Sequence, residues 1–364
     1  MIPSPHTGGG LGWGAVLLLT PYSLLSVFLF SFLLAACGKE PLYQEQSYVF
    51  GTLVEISIYG TDEARAKSAA RQVLADFDRL HQMLHAWKPG ALSEINSVLA
   101  KSPARTSVTP ELAALIRHAT ALAEQSDELF NPAIGKLVGL WGFHRDEFLP
   151  VNPAAGEIAR IVAAHPRMSD VVIEGNEIYS NNPQVQLDFG GYAKGYALDV
   201  AAAYLRAQGV NNALINIGGN ILALGRRGNR AWRVGIQHPR KPAALATLEL
   251  RDGEAIGTSG DYQRYFERDE KRYCHIIDPR SGQPVPGVQA VTIVITPGAH
   301  AGAWSDAASK PLFIEGVKGW RAAATKLGVE QAMLIDERGE VYITPALKAR
   351  LEWVEKNLVI HEIQ

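Results

Sequence analysis

Along the chain the pattern of apolar and polar positions changes period several times. Residues 48–59 alternate and are closed by Gly60, which predicts one half-buried strand. From 62 to 84 the period is helical, with Ala66, Ala69, Ala70, Val73, Leu74, Phe77, Leu80 and Leu84 on one stripe. Pro110 opens a second helix to about Ser126, with Thr109 as its N-cap. Asn131-Pro132 breaks the chain before a helical segment over 133–141. Residues 171–179 and 184–187 read as strands around Asn181-Asn182-Pro183, followed by a helix over 193–207 and a strand over 213–217. Segments 232–237, 246–250, 254–257 and 273–277 read as a largely antiparallel run of strands. A strand over 291–296, a mostly helical 303–327 and strands over 332–336 and 341–343 complete the pattern. Strands and helices mix without a strict β-α-β rhythm. That predicts an α+β fold, a single domain over 48–358 with a mixed, largely antiparallel sheet packed by helices.

The first forty residues follow neither period. Residues 15–36 carry no charge and lead into Leu34-Ala35-Ala36-Cys37-Gly38. An apolar stretch ending in small residues reads as an export signal over 1–36. The cysteine at its end is similar to a bacterial lipobox, in which Cys37 becomes the lipidated first residue and 37–47 a tether. An uncleaved membrane anchor is the alternative, since the stretch is long enough to span a bilayer. No Lys or Arg precedes Cys37, so the usual positive leader is missing. Either reading holds the body at a membrane after export, with the periplasmic face of the inner membrane favoured. The other cysteine, Cys274, then has no partner, and stability does not rest on disulfides.

In 364 residues the net charge is only -2. That gives no electrostatic case for nucleic acid. Candidate chemistry lies instead in the polar turns that interrupt apolar strands. The most informative is Leu187-Asp188-Phe189-Gly190-Gly191-Tyr192-Ala193-Lys194-Gly195, where bare glycine backbone meets a helix N-terminus. Unpaired N–H groups and the helix dipole suit a phosphate there. The spacing is neither a Walker loop nor a Rossmann fingerprint. A tight strand-to-helix turn explains the glycines alone; Asp188 and Lys194 make a ligand site as good an explanation.

Asn216-Ile217-Gly218-Gly219-Asn220 alone is a simple β-turn. Gly257-Thr258-Ser259-Gly260 offers N–H and O–H donors at a strand end. His275, in the strand before the turn 278–282, suits a general base near neutral pH, although a lone strand histidine is more often packing. Local sequence favours Ser305 or Asp306 as the N-cap of its own helix.

Taken in order, Y-x-F-G-T, L-F-N-P-A-I-G, L-D-F-G-G-Y-A-K-G-Y-A-L-D, N-I-G-G-N, G-T-S-G-D-Y, H-I-I-D-P-R-S-G-x-P and S-D-A-A-S-K resemble the ApbE family of FAD:protein FMN transferases. The likeness runs from about Val49 to Gly316. It implies binding of FAD with Mg2+, transfer of FMN to a Thr or Ser hydroxyl of a partner protein, and release of AMP. The partner implied is a subunit of a membrane redox complex, of the Rnf or sodium-pumping quinone reductase type, or a related flavoprotein. Hydrolysis of FAD to FMN and AMP, or non-catalytic FAD binding, are the alternatives.

By the same resemblance His275 deprotonates the incoming hydroxyl and Asp306 ligates the metal with the main-chain oxygen of Gly191. Phe50, Trp87, Leu129, Phe130, Asn131, Asp188 and Lys194 fall on cofactor-contacting positions. Two residues depart from the family pattern. Phe50 stands where Met is usual, an apolar exchange. Lys310 stands where a Thr helps to hold the metal, and a protonated amine cannot ligate Mg2+. Asp306 with water, Ser309, or the charge of Lys310 itself are the ways left to complete that site.

Overall fold

The computed structural model describes residues 42–363; the export segment and Cys37 lie outside the described residues. The run expected as one strand is a hairpin. β1 (Leu42–Val49) and β2 (Thr52–Tyr59) pair antiparallel, with Val49 opposite Thr52. Phe50 at φ 56° and Gly51 at φ 70° form the two-residue turn, left-handed at both positions as a type I′ hairpin requires. The expected tether is therefore sheet from residue 42 onward. Val54, Ile56 and Ile58 carry the buried face of β2.

α1 (Glu63–Met83) follows, with Asp62 accepting the Arg65 N–H at 2.9 Å as its N-cap. Next come α2 (Ala91–Leu99), β3 (Thr106–Ser107), α3 (Pro110–Gln125), α4 (Gly135–Leu140), α5 (Ala155–Ala164), β4 (Val171–Glu174) and β5 (Glu177–Ser180). Thr109 caps α3 by accepting the Leu112 N–H. The strand expected over 171–179 turns back on itself after Glu174, where Gly175 adopts φ 59°. Residues 184–187 do not join a sheet strand. Asn96 of α2 holds them instead, accepting the Leu187 N–H at 2.7 Å and donating to its carbonyl at 2.9 Å.

The remainder is α6 (Ala193–Ala207), β6 (Ala213–Ile217), β7 (Asn220–Leu224), β8 (Trp232–Gln237), β9 (Ala244–Leu250), β10 (Ala255–Gly260), β11 (Tyr265–Arg268), β12 (Lys271–Cys274), β13 (Ile277–Asp278), β14 (Gln283–Pro284), β15 (Val288–Ile295), α7 (Ala301–Lys326), β16 (Gln331–Asp336), β17 (Val341–Ile343), α8 (Pro345–Lys348), β18 (Leu351–Trp353) and β19 (Ile360–Glu362). The main sheet runs β1-β2-β6-β7-β10-β15-β16-β17-β19. Every pairing is antiparallel except β17 with β19. The fold is α+β around a mixed, largely antiparallel sheet, and β19 extends it past residue 358. One face packs on α1, α6 and α7, burying Ile56, Phe77, Leu198 and Phe313. The other packs on the small sheet β8-β9-β18 through Ile221, Trp232 and Leu248.

α7 carries Gly302, Ala303, Ser305, Ala307, Ala308 and Ser309 on buried positions. Such small side chains allow backbone to touch backbone. A methyl on Gly195 of α6 would stand 2.2 Å from the Gly302 carbonyl oxygen, and one on Gly257 of β10 would stand 2.1 Å from that of Ser305. No residue with a Cβ fits at such an approach, so the glycines set how deeply α7 is seated.

Candidate functional site

Where α6 and α7 cross, each helix supplies an acid to the other's N-terminus. Asp199 of α6 accepts the N–H groups of Gly302 (2.7 Å) and Ala303 (2.8 Å). Asp306 of α7 accepts the Gly195 N–H at 3.1 Å through Oδ2. Neither Ser305 nor Asp306 caps its own helix, contrary to the local reading, because α7 begins at Ala301 and both stand inside it. The carboxylate does cap a helix, but a different one.

Asp306 is buried between two lysines. The Lys310 ammonium bonds its Oδ1 and lies 2.7 Å from its main-chain oxygen, and Lys194 Nζ lies 4.0 Å from Oδ2. Burial alone would raise the pKa of Asp306, but Lys194, Lys310 and the Gly195 N–H outweigh it and hold the carboxyl below the usual carboxylate range. Gly191 borders the same group: a methyl there would stand 3.1 Å from Cε of Lys310 and 3.9 Å from its Nζ. Ser309 gives its hydroxyl proton to the Asp306 carbonyl at 2.7 Å, and its oxygen lies 2.7 Å from that of Ser259. Among the described residues no three His, Cys, Asp or Glu side chains converge as a metal-ligand set.

His275 comes just after β12 rather than within a strand. Its main-chain N–H reaches the Arg264 carbonyl at 3.0 Å, and its Nδ1 lies 3.2 Å from the same oxygen. A carbonyl only accepts, so Nδ1 carries the proton and Nε2 keeps a lone pair. Burial first, then the charges of Arg264, Lys194 and Lys310, lower the His275 pKa to about 3. The imidazole is neutral at pH 7 and has two of the site's lysines within electrostatic reach.

A second group holds Asp188. Its Oδ2 accepts the Trp87 indole N–H at 2.9 Å and its Oδ1 the Gly190 N–H at 2.8 Å. The Trp87 ring packs against Gly139, where a methyl would lie 3.0 Å from Cη2, and against His144 at 4.8 Å between centroids. Phe50 meets Phe77 at 6.2 Å and His81 at 5.5 Å, and His81 meets His85 in turn. A phenylalanine at positive φ is uncommon, so this hairpin tip carries local backbone strain.

The segment 129–131 divides. Leu129 is half-buried, whereas Phe130 and Asn131 are buried. Asn131 donates to the Pro166 carbonyl and accepts the Ala133 N–H, both at 2.9 Å, which leaves it shaping the loop. Thr258 and Ser259 likewise point into packing, Thr258 meeting Thr292 at 3.0 Å. Gly218 (φ 57°) and Gly219 (φ 95°) make the plain hairpin turn between β6 and β7. Sequence reasoning missed Asp199, Asn96 and Arg264. Asp199 ends the A-L-D of its motif, and nothing local marks an acid, asparagine or arginine whose contacts are made through space.

Two lysines beside one carboxylate, a neutral histidine, glycine backbone and a helix N-terminus together suit a phosphate-bearing ligand. The ApbE family model matches residues 50–334. An FAD:protein FMN transferase of Rhodobacter capsulatus is 41% identical over 87% of this chain, which spans 60% of that relative's length. One from Klebsiella pneumoniae (strain 342) is 34% identical, with 72% of this chain and 81% of the relative covered. Among solved structures, the ApbE protein of Thermotoga maritima superposes with TM-score 0.76 at 29% identity, covering 85% of this chain and 99% of that one. The flavinyl transferase ApbE of Pseudomonas stutzeri gives 0.74 at 27%, covering 86% and 98%. With most of its length matched by the family model and by these relatives, the chain belongs to the ApbE family.

Proposed function

We propose that this chain transfers FMN from FAD to a Thr or Ser hydroxyl of a partner redox protein and releases AMP. The observation that carries the reading is the Lys194–Asp306–Lys310 cluster at the N-terminus of α6, within electrostatic reach of a neutral His275. The lysines and the helix N-terminus receive the pyrophosphate. Nε2 of His275 takes the proton of the acceptor hydroxyl as its oxygen bonds the FMN phosphorus. The phosphorus–oxygen bond to the AMP half breaks, and AMP leaves with that electron pair. Positioning and charge stabilisation do most of the work in such displacements. Trp87 and Asp188 form the second wall, against the flavin or adenine end.

Mg2+, which the resemblance implies, does not fit this donor set. The Asp306 oxygens already accept from Lys310 and the Gly195 N–H, so no step above runs through a metal. The acceptor we propose is a subunit of a membrane redox complex or a related flavoprotein. The lipobox-like Cys37 supports a lipid anchor that holds the enzyme beside it on the periplasmic face.

The test is to incubate the protein with FAD and an acceptor domain bearing the target Thr. The expected result is a covalent FMN mass shift on the acceptor, with AMP released. FMN and AMP without that shift would make the chain a hydrolase, and FAD bound but intact would leave it a carrier.

A further inference from the structure

We propose that the Lys310 ammonium is the resident cation of this site, so that FAD binds here without a divalent metal. The inference rests on the transferase reading and deepens it. The Lys310 ammonium engages two oxygens of Asp306, Oδ1 and the main-chain oxygen, and its stem lies beside Gly191. Oδ2 faces the Gly195 N–H and Lys194. The nearby Ser309 hydroxyl is buried and committed to the Asp306 carbonyl and Ser259.

Mg2+ demands six oxygen ligands in near-octahedral array. Here the Asp306 oxygens and the Ser309 hydroxyl already have hydrogen-bond partners, and an ammonium stands among them. Lys310 is not a surface lysine able to swing away: its side chain is 15% exposed and its stem lies against Gly191. Charge points the same way. Lys194 and Lys310 against Asp306 leave one positive charge beside Gly191. A pyrophosphate diester carries two negative charges, and the chain's own ammonium groups meet part of that charge without a metal.

FAD binding, read by quenching of flavin fluorescence, tests this on the EDTA-stripped protein with and without excess Mg2+. The expected result is the same affinity in both. Lys310→Thr is expected to lose about tenfold or more in EDTA and to regain affinity with Mg2+, and Lys310→Arg to stay indifferent to the metal. A wild-type affinity about tenfold or more weaker in EDTA and restored by Mg2+ overturns the inference and leaves the transferase reading intact. No FAD binding under either condition overturns both. The wild-type comparison decides even if a variant fails to fold.

Discussion

The two ends of the α6–α7 crossing have the same geometry and opposite character. At one end Asp199 accepts two N–H groups of α7; at the other Asp306 accepts one of α6. A carboxylate at a helix N-terminus meets unpaired donors and a favourable dipole in either place. The difference is the cations. Asp199 has none as a direct partner among the described residues, and burial raises its pKa to about 7 against the pull of its two N–H bonds. Asp306 has Lys194 and Lys310, which more than offset its burial. Under the proposed transfer, a capping acid joins the reaction site because the fold brings it more positive charge than capping requires, and an anionic substrate would neutralise the excess.

The largest effect should come from Asp306→Ala. It leaves two lysines, one of them largely buried, without a counter-charge, and breaking a buried pair costs about 3–5 kcal/mol. Urea unfolding should show that loss, and transfer should vanish. A loss no greater than that of Asp199→Ala would erase the contrast between the two ends.

His275→Ala should lower transfer by about 10²–10⁴-fold while FAD affinity holds, a split measured by turnover beside fluorescence titration. Because the folded pKa of His275 lies well below 6.5, transfer should show no inflection near pH 6.5 on acidification. The unfolded chain takes up this proton first. The histidine's contribution to stability is therefore full above pH 6.5 and is lost as pH falls toward its folded value of about 3. An activity profile falling with an apparent pKa near 6.5 would contradict this.

Gly195→Ala forces a methyl to within 2.2 Å of the Gly302 oxygen, which neither backbone can yield without moving both acids. A cost of about 1–3 kcal/mol is expected, with weaker FAD binding; an unchanged melting temperature would show that the crossing has slack. Asp199→Asn should cost least, less than the ~0.5–2 kcal/mol lost when a cap is truncated to Ala, because Asn keeps a side-chain oxygen to accept an N–H there, with FAD affinity unchanged. Asp199 holds its proton in the fold after the unfolded chain has released it. Its contribution is complete below about pH 4 and is lost as pH rises through about 7. The Asn variant should flatten that part of the stability–pH curve, and an unaltered slope would assign it to another group.

Much of the architecture was legible because its causes are local. Alternation in 52–59, the stripe of α1, Thr109-Pro110 at α3 and the glycines of β6–β7 act within a few residues of themselves. Errors arose where a partner is distant. Alternation ran through Phe50-Gly51 without showing that the chain reverses there, since the period of a hairpin is that of its strands. Residues 184–187 look like a strand but are held by Asn96, ninety-one positions from Leu187. Among the site residues, Asp188 with Trp87, and Asp306 with Lys194 and Lys310, were named from motif order and do meet. Phe130 and Asn131 came from the same motif and turn inward.

Sequence alone determined the α+β class, the family and the side chains available for chemistry, because periodicity, glycine turns and ordered motifs are written along the chain. Tertiary structure decided what those side chains do. The depth at which α7 is seated on Gly195 and Gly257 is a contact between backbones far apart in sequence. It places Asp306 at the start of α6 and Lys310 on its oxygens. Charge balance in that pocket depends on distance and burial through space, and no local pattern carries either.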